Sequence, residues 1–251
     1  PLNRLFADDP TRVDQLSVLI DGLRFDFSKT HLTGELVSKL SYIARAQGLA
    51  AKRDALFAGA PINVTENRAA EHTAERGEGN AEAVSLARGL QARMRAFIDV
   101  IDAGAFGEIE NILHIGIGGS ALGPKLVMDA LGRSNSRYRT RIVSNIDGAA
   151  LAEAVEGLDP HKTLIAIASK TFTTTETLLN AESAISWLRE GGVEDPYGQL
   201  IALTAKPEKA IEWGIDESRI LPFSESVGGR YSLWCSIGFP FAAALGWAAY
   251  E

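Results

Sequence analysis

Apolar positions follow a helical period through about the first 105 residues of the chain. The segment that begins at Thr33 has an apolar or small residue at every third or fourth position, and the same spacing returns over 84–101. Two stretches between these segments, 57–67 and 76–80, hold the Gly, Pro and Asn residues that are typical of surface turns. The pattern predicts an N-terminal helical segment over 1–105.

The pattern changes after residue 105, where short runs rich in β-branched residues alternate with helical stretches. The runs predicted as strands are 112–117, 141–146, 163–168, 200–204 and 219–223. The helical stretches between them are 121–131, 149–156, 174–189 and 207–213. Such alternation predicts a parallel sheet with helices on both faces, and right-handed crossovers make it doubly wound. We therefore predict an α/β fold with a five-stranded, doubly wound parallel sheet over 106–251, which binds ligands at the carboxyl ends of its strands.

One loop at such a strand end has the composition of an anion site. The third predicted strand runs into a hydroxyl-rich loop with one cation, and a helical pattern follows directly. A helix N-terminus offers unpaired N–H groups, hydroxyls add donors, and Lys170 adds a positive charge. The alternative is local, because Thr173 and Glu176 match a capping box that needs no ligand. A capping box leaves Ser169, Lys170 and Thr171 without a role, so we favour an anion site.

A second loop after a predicted strand is rich in glycine. The sequence HIGIGGSALGPK, residues 114–125, places three glycines between a strand and a helix, where glycine lets a ligand approach the backbone. The loop also contains the G-x-G-x-x-A pattern of dinucleotide-binding proteins, although Asp147 lies later than the roughly 20 residues at which that pattern places its acid. A tight turn without a ligand is the third interpretation, and His114 is interpreted as a core residue. Two donor-rich loops on neighbouring strands favour one shared ligand.

The third feature is VGGRYSLW, residues 227–234. Its two glycines allow positive φ angles and place Arg230 on a turn before an apolar helix that is predicted to run to Ala249. A guanidinium is always charged and can stabilise a developing oxyanion. Arginines on turns are more often solvated, and these residues alone favour that interpretation.

Composition narrows the classes of function. With 251 residues, of which 46% are hydrophobic, the chain can bury a sizeable core. Its formal charge of -7 argues against nucleic acid or an anionic membrane surface as a partner. A single cysteine, Cys235, excludes an internal disulfide and suits a reducing compartment, and no signal peptide or long apolar run is visible, so we expect a cytoplasmic protein. The histidines and the cysteine lack the spacing of metal ligands.

Three blocks of the sequence resemble the glucose-6-phosphate isomerase family: GIGGSALGP (116–124), ASKTFTTTETLLNA (168–181) and GGRYSLW (228–234). The stretches INVTENRAAEHT (62–73) and SNIDG (144–148) are also similar to the family pattern, in the same order. The resemblance implies an enzyme with two flavodoxin-like sugar isomerase (SIS) halves, which works as a homodimer without a metal or a cofactor. It implies the interconversion of glucose 6-phosphate and fructose 6-phosphate through a cis-enediol.

The resemblance also implies roles for individual residues. The substrate-binding residues that it implies are Gly119, Ser120, Ser169, Lys170, Thr171, Thr174 and Gly229. In this set the hydroxyls hold the substrate phosphate, with Lys170 nearby, and Gly119 lies against the sugar. Arg230 is the implied catalytic residue, because it stabilises the negative charge of the cis-enediol, and this replaces the surface interpretation given above.

The sequence departs from the family pattern in two side chains and in extent. Thr175 stands where the family usually has Gln, and Ala121 stands where Asp is common. The glutamate base of the family lies in a GEPGTNGQH-like segment, and neither this segment nor the ring-opening histidine nor the second SIS half is found in the sequence. We therefore expect the N-terminal portion of a longer isomerase, made of a helical segment (1–105) and a first SIS domain (106–251), and predict that it is inactive alone.

Two other classes of function remain open at this stage. The first is a non-catalytic SIS-type module that binds or senses a phosphosugar through the same phosphate loop. The second is the NAD-binding domain of an oxidoreductase, which the G-x-G-x-x-A pattern alone supports.

Overall fold

The computed structural model describes residues 1–134 and 136–251. The described chain divides into two compact units, Pro1–Ala55 and Leu56–Glu251. In the described residues no helix has the length and apolar character that crossing a membrane requires.

The first unit combines helices with a β-hairpin. Its elements are α1 (Leu2–Asp8), α2 (Arg12–Gln15), β1 (Ser17–Ile20), β2 (Leu23–Asp26), α3 (Gly34–Ala46) and α4 (Leu49–Phe57), the last of which extends two residues past Ala55. Thr33 caps α3 as predicted, since its hydroxyl accepts from the N–H of Leu36 at 3.2 Å. The prediction of helices alone is wrong at the hairpin, where Asp21 and Gly22 both have positive φ and form a two-residue loop.

The second unit is built around a parallel sheet. Its elements are α5 (Ala81–Asp102), β3 (Asn111–Gly116), α6 (Gly119–Leu131), β4 (Arg139–Val143), α7 (Gly148–Val155), β5 (Thr163–Ala168), α8 (Thr175–Glu190), β6 (Leu200–Thr204), α9 (Pro207–Trp213), β7 (Ile220–Pro222), α10 (Phe239–Leu245) and α11 (Trp247–Tyr250). All strands are parallel, in the order β4-β3-β5-β6-β7. The predicted α/β fold with five strands is confirmed, and the strand order is that of the flavodoxin-like class.

The core lies on both faces of this sheet. Alternate residues of β5 point to opposite faces: Leu164 belongs to the cluster formed with α5 and α10, and Ile165 belongs to the cluster formed with α8. Strands β3, β5 and β6 are buried along their whole length, which explains their continuous apolar sequences. Full burial of one such side chain stabilises the fold by roughly 1.5–3 kcal/mol.

Helix α5 belongs to the same compact unit as the sheet, because Met94 and Ile98 of α5 pack into the core beneath it. The predicted apolar helix up to Ala249 is wrong. Short 3₁₀ turns precede α10, and Gly246, at φ +89°, separates α10 from α11.

Candidate functional site

The candidate site lies where the strand order reverses. Strands β3 and β5 are neighbours in the sheet, and Gly116 at the end of β3 pairs in register with Ala168 at the end of β5. Their helices leave from the same edge of the sheet, at the point where doubly wound proteins bind ligands. A Cβ on Gly116 would lie 3.1 Å from that of Ala168, so glycine permits this close approach. The two predicted loops are therefore neighbours.

The loop after β5 is fixed by a buried aromatic ring. Phe172 is 3% exposed, its ring contacts that of Trp213 edge-on at 6.0 Å, and its φ is +51°. A positive φ is rare for a bulky residue and costs on the order of 1–3 kcal/mol. Burial of the ring offsets this cost. The backbone N–H of Phe172 donates to the Ser169 hydroxyl at 3.1 Å, which holds that hydroxyl in the turn.

The hydroxyls of this loop form two close pairs. The oxygens of Ser169 and Thr174 lie 3.0 Å apart, and Thr173 donates to Thr171 at 2.8 Å. Within the described residues the cap of α8, Thr174, makes no side-chain capping bond, and Thr173 does not act as the cap that a capping box with Glu176 requires. The start of α8 therefore keeps the hydroxyls and N–H groups that an anion site needs.

Lys170 is directed to the segment in front of Arg230. Its ammonium donates to the carbonyl oxygens of Glu225, at 2.6 Å, and of Val227, at 2.9 Å. Burial lowers the pKa of Lys170. The contacts of the ammonium are thus to backbone carbonyls of 225–227.

The glycine loop after β3 packs against the segment that carries Arg230. A Cβ on Gly119 would lie 2.2 Å from the carbonyl of Gly229 and 2.7 Å from the backbone nitrogen of Arg230. Ser232 donates to the Gly229 carbonyl at 2.7 Å. Gly118 has φ +57° and ψ -123°, which suits glycine. Close backbone packing thus explains Gly119, whereas the positive φ explains Gly118.

His114 supports the same loop from below. It is fully buried in β3, and its Nε2–H donates to the carbonyl oxygen of Ser120 at 2.7 Å. Burial lowers the pKa of His114 to about 4, so the ring is neutral at pH 7. The interpretation of His114 as a core residue is confirmed, and its contact fixes the first turn of α6.

Arg230 is exposed and lines a cavity of about 430 Å³. The side chains of Lys170, Arg68 and His72 line the same cavity. The ring of His72 stacks on that of Tyr231, the residue after Arg230, with centroids 4.3 Å apart. Carboxylates share this cavity, because Glu66 and Glu225, which both form ion pairs with Arg68, also line it.

Several parts of this arrangement have no signal in the sequence. Phe172 is not a residue type expected at positive φ, and the sequence around Arg68 does not indicate a role for that residue. Asp147, proposed as a ribose ligand under the dinucleotide interpretation, caps α7 by accepting from Ala149 at 2.9 Å. In the described residues no group of three or more His, Cys, Asp or Glu side chains is arranged to hold a metal ion.

Comparisons with known proteins agree with one another. The family model described as phosphoglucose isomerase matches residues 26–251. The chain is 62% identical over 250 residues to a glucose-6-phosphate isomerase from Rhizorhabdus wittichii and 60% identical to one from Sphingopyxis alaskensis; it covers 50% of each, and 100% and 99% of the chain are matched.

A solved structure is similar over the same extent. The crystal structure of a glucose-6-phosphate isomerase from Chlamydia trachomatis matches with a TM-score of 0.82 and 25% identity, over 99% of this chain and 50% of that one. The chain thus spans about half the length of the relatives that it matches. It belongs to the phosphoglucose isomerase family.

Proposed function

We propose that this chain is the phosphate-binding half of an enzyme that interconverts glucose 6-phosphate and fructose 6-phosphate through a cis-enediol. The observation that carries the proposal is the backbone contact of Gly119 with Gly229 and Arg230, which brings the segment of Arg230 to the start of α6, beside the hydroxyl-rich loop before α8. Such an arrangement suits a phosphorylated substrate whose reacting carbons develop negative charge.

The phosphate is bound at the carboxyl ends of β3 and β5. The hydroxyls of Ser120, Ser169, Thr171 and Thr174 donate to it, together with N–H groups at the starts of α6 and α8. Gly119 lies against the sugar. A phosphate held far from the reacting carbons supplies binding energy that orients the opened sugar.

The proton moves between C2 and C1 of the opened sugar. A carboxylate takes the proton from C2 of the aldose, and the C–H electrons form the C1=C2 double bond of the enediol while O1 gains a proton. The ketose forms when O2 loses its proton and the carboxylate returns the carbon-bound proton to C1. Arg230 stabilises the oxyanion that develops meanwhile, because its guanidinium stays charged at all relevant pH values. We place the carboxylate base and the ring-opening histidine in the part of the full-length protein beyond this chain.

The remaining features of the proposal follow the family resemblance. Residues 106–251 form the first of two SIS domains, the full-length enzyme is a cytoplasmic homodimer, and it uses no metal or nucleotide cofactor. The presence of Arg230 supports an enzyme and not a module that only binds a phosphosugar. Phosphate binding alone does not need a second cation away from the phosphate loop.

The test is an isomerase assay on the full-length protein, on residues 1–251 and on Arg230→Ala in the full-length protein. We expect turnover by the full-length protein, none by residues 1–251, and a loss of about 10²–10³ in kcat for Arg230→Ala, as for other groups that stabilise an oxyanion. Arg133→Ala, on the turn after α6, is the matched control. An unchanged kcat for Arg230→Ala would refute the role given to this residue, and turnover by residues 1–251 would refute the placement of the base.

A further inference from the structure

We propose that Lys170 is a positioning residue. Its ammonium connects the loop after β5 (169–174), here called the phosphate loop, to the segment that carries Arg230 (225–230). The inference rests on the proposed function and deepens it. It assigns to Lys170 a role in placing Arg230, where the family resemblance alone implied a position near the phosphate.

The main chain of Lys170 is anchored on the neighbouring strand. Its carbonyl accepts from the N–H of Ala205 at 3.0 Å and from the hydroxyl of Thr204 at 3.2 Å. Thr204 is the last residue of β6, so the base of the lysine is fixed to the sheet. Phe172 fixes the same loop two residues later.

The ammonium reaches the segment in front of Arg230 and binds it at two points. It donates to the carbonyl of Glu225 at 2.6 Å and to that of Val227 at 2.9 Å. Val227 is followed by the two glycines and then by Arg230, so these bonds set where the glycine turn begins. An ammonium has three donors, and two of them are used in this way.

Other groups hold the remaining parts of this segment. The carbonyl of Ser226 accepts from the N–H of Glu71 at 3.1 Å, and Arg68 donates to the carbonyl of Glu225 at 3.1 Å. The Glu225 carboxylate contacts Lys206, which leaves the carbonyl of Glu225 as the group that faces Lys170. Among these contacts, the one from Lys170 comes from the phosphate loop itself.

The physical consequence is that phosphate binding and the placement of Arg230 are linked. Because the lysine backbone is fixed to the sheet, its ammonium holds 225–227 in a set position relative to the loop 169–174 that binds the phosphate. A phosphate ligand and a positioning residue make different kinetic predictions, because a misplacement of about 1 Å costs on the order of 10²-fold in rate without removing a binding contact.

The first experiment measures kcat, KM and inhibition by inorganic phosphate for Lys170→Met in the full-length enzyme. We expect kcat to fall about 10–100-fold, with KM and the phosphate inhibition constant within about 3-fold of wild type. Lys170→Arg keeps donors for the two carbonyls, so its kcat should be at least about 5-fold higher than that of Lys170→Met. Thr171→Ala is the comparison for a phosphate ligand and should raise both constants. A rise of both constants for Lys170→Met at unchanged kcat would overturn the proposal.

The second experiment is a double-mutant cycle with Arg230→Ala. If Lys170 acts through Arg230, Lys170→Met should lower kcat by less than about 2-fold once Arg230 is absent. The same fractional loss in both backgrounds would contradict the proposal.

The third experiment does not depend on turnover, so it separates this proposal from the proposed function. Hydrogen exchange of the backbone amides at 226–231 should accelerate about 10-fold or more in full-length Lys170→Met, since two of the carbonyl contacts of the segment are lost. Lys206→Met is the matched control, because Lys206 contacts the carboxylate of Glu225 and not the backbone. Unchanged exchange in Lys170→Met would refute the positioning role, whereas an inactive wild-type enzyme would refute only the proposed function.

Discussion

Replacing Gly119 by alanine is expected to impair the full-length isomerase while it stays folded. The added methyl carbon would lie 2.2 Å from the Gly229 carbonyl and 2.7 Å from the nitrogen of Arg230. Carbon atoms at optimal separation stand about 3.5–4.0 Å apart, so the two backbones must separate by more than about 1 Å. The methyl carbon meets backbone atoms, which cannot rotate away as a side chain can.

The size of the effect follows from the displacement. A shift of about 1 Å at a reacting group costs on the order of 10²-fold in rate, so we expect kcat/KM to fall about 10–100-fold. Overpacking costs about 1–3 kcal/mol, and alanine in a helix regains about 0.5–1 kcal/mol, so the net loss of stability should be about 2.5 kcal/mol or less.

Gly123→Ala in the same helix is the matched control. Its Cβ would meet the side chain of Leu233 at 3.2 Å, which can rotate, so kcat/KM should stay within about 3-fold of wild type. The assay is steady-state isomerisation with a thermal melt of each variant. A wild-type kcat/KM for Gly119→Ala would refute the argument that this backbone contact places Arg230.

Three further predictions concern stability. Phe172→Ala should destabilise the protein by about 3–5 kcal/mol, because it removes a buried ring and keeps a positive φ; urea unfolding that shows a loss below about 1 kcal/mol would contradict this. Burial raises the pKa of Glu75 to about 7, so the folded state keeps a proton that the unfolded state releases above about pH 4.5. The free energy of unfolding should therefore fall by about 3 kcal/mol as pH rises from 4.5 to 7. Urea titrations of Glu75→Gln should show no such dependence on pH, and the same dependence in this variant would disprove the assignment. Burial lowers the pKa of His114 to about 4, so on acidification the unfolded state binds a proton at a higher pH than the folded state does. The free energy of unfolding should therefore fall by about 3 kcal/mol as pH decreases from 6.5 to 4. His114→Asn should lose less stability over this range, and an equal loss would count against the buried neutral ring.

The strands that the sequence predicted best are those buried on both faces. The bounds of β5 and β6 agree with the predicted runs, because every position in both strands is apolar or β-branched and polar residues mark where each run ends. The edge strand β4 begins at Arg139, two residues before the predicted start, because polar and apolar positions alternate there and the first charged residues carry little signal. The start of β4 is set by its pairing with β3, in which Arg139 lies opposite Asn111.

Residue types in the site were predictable, whereas the directions of their side chains were not. The hydroxyl-rich composition of the loop after β5 indicated an anion site, but a lysine in that loop gives no sign of which oxygen it meets. Lys170 binds carbonyls 55 and 57 residues later in the chain, and a contact over such a separation depends on the sheet order. The periodicity of α5 likewise showed a helix but not the sheet face against which Met94 packs.

Binding of fructose 6-phosphate to residues 1–251, followed by thermal melts, tests the central claim most directly. A ligand at about 100 times its Kd that binds only the folded state adds about 2.7 kcal/mol, which should raise Tm by roughly 5–10 °C for a chain of this size. We predict such a shift with fructose 6-phosphate and a smaller one with inorganic phosphate. Both should be lost in Ser169→Ala and Thr171→Ala and kept in Ser186→Ala, an exposed serine on α8. A shift that survives in Ser169→Ala and Thr171→Ala, or one that occurs with NAD and not with the sugar phosphate, would contradict the placement of the phosphate at this loop.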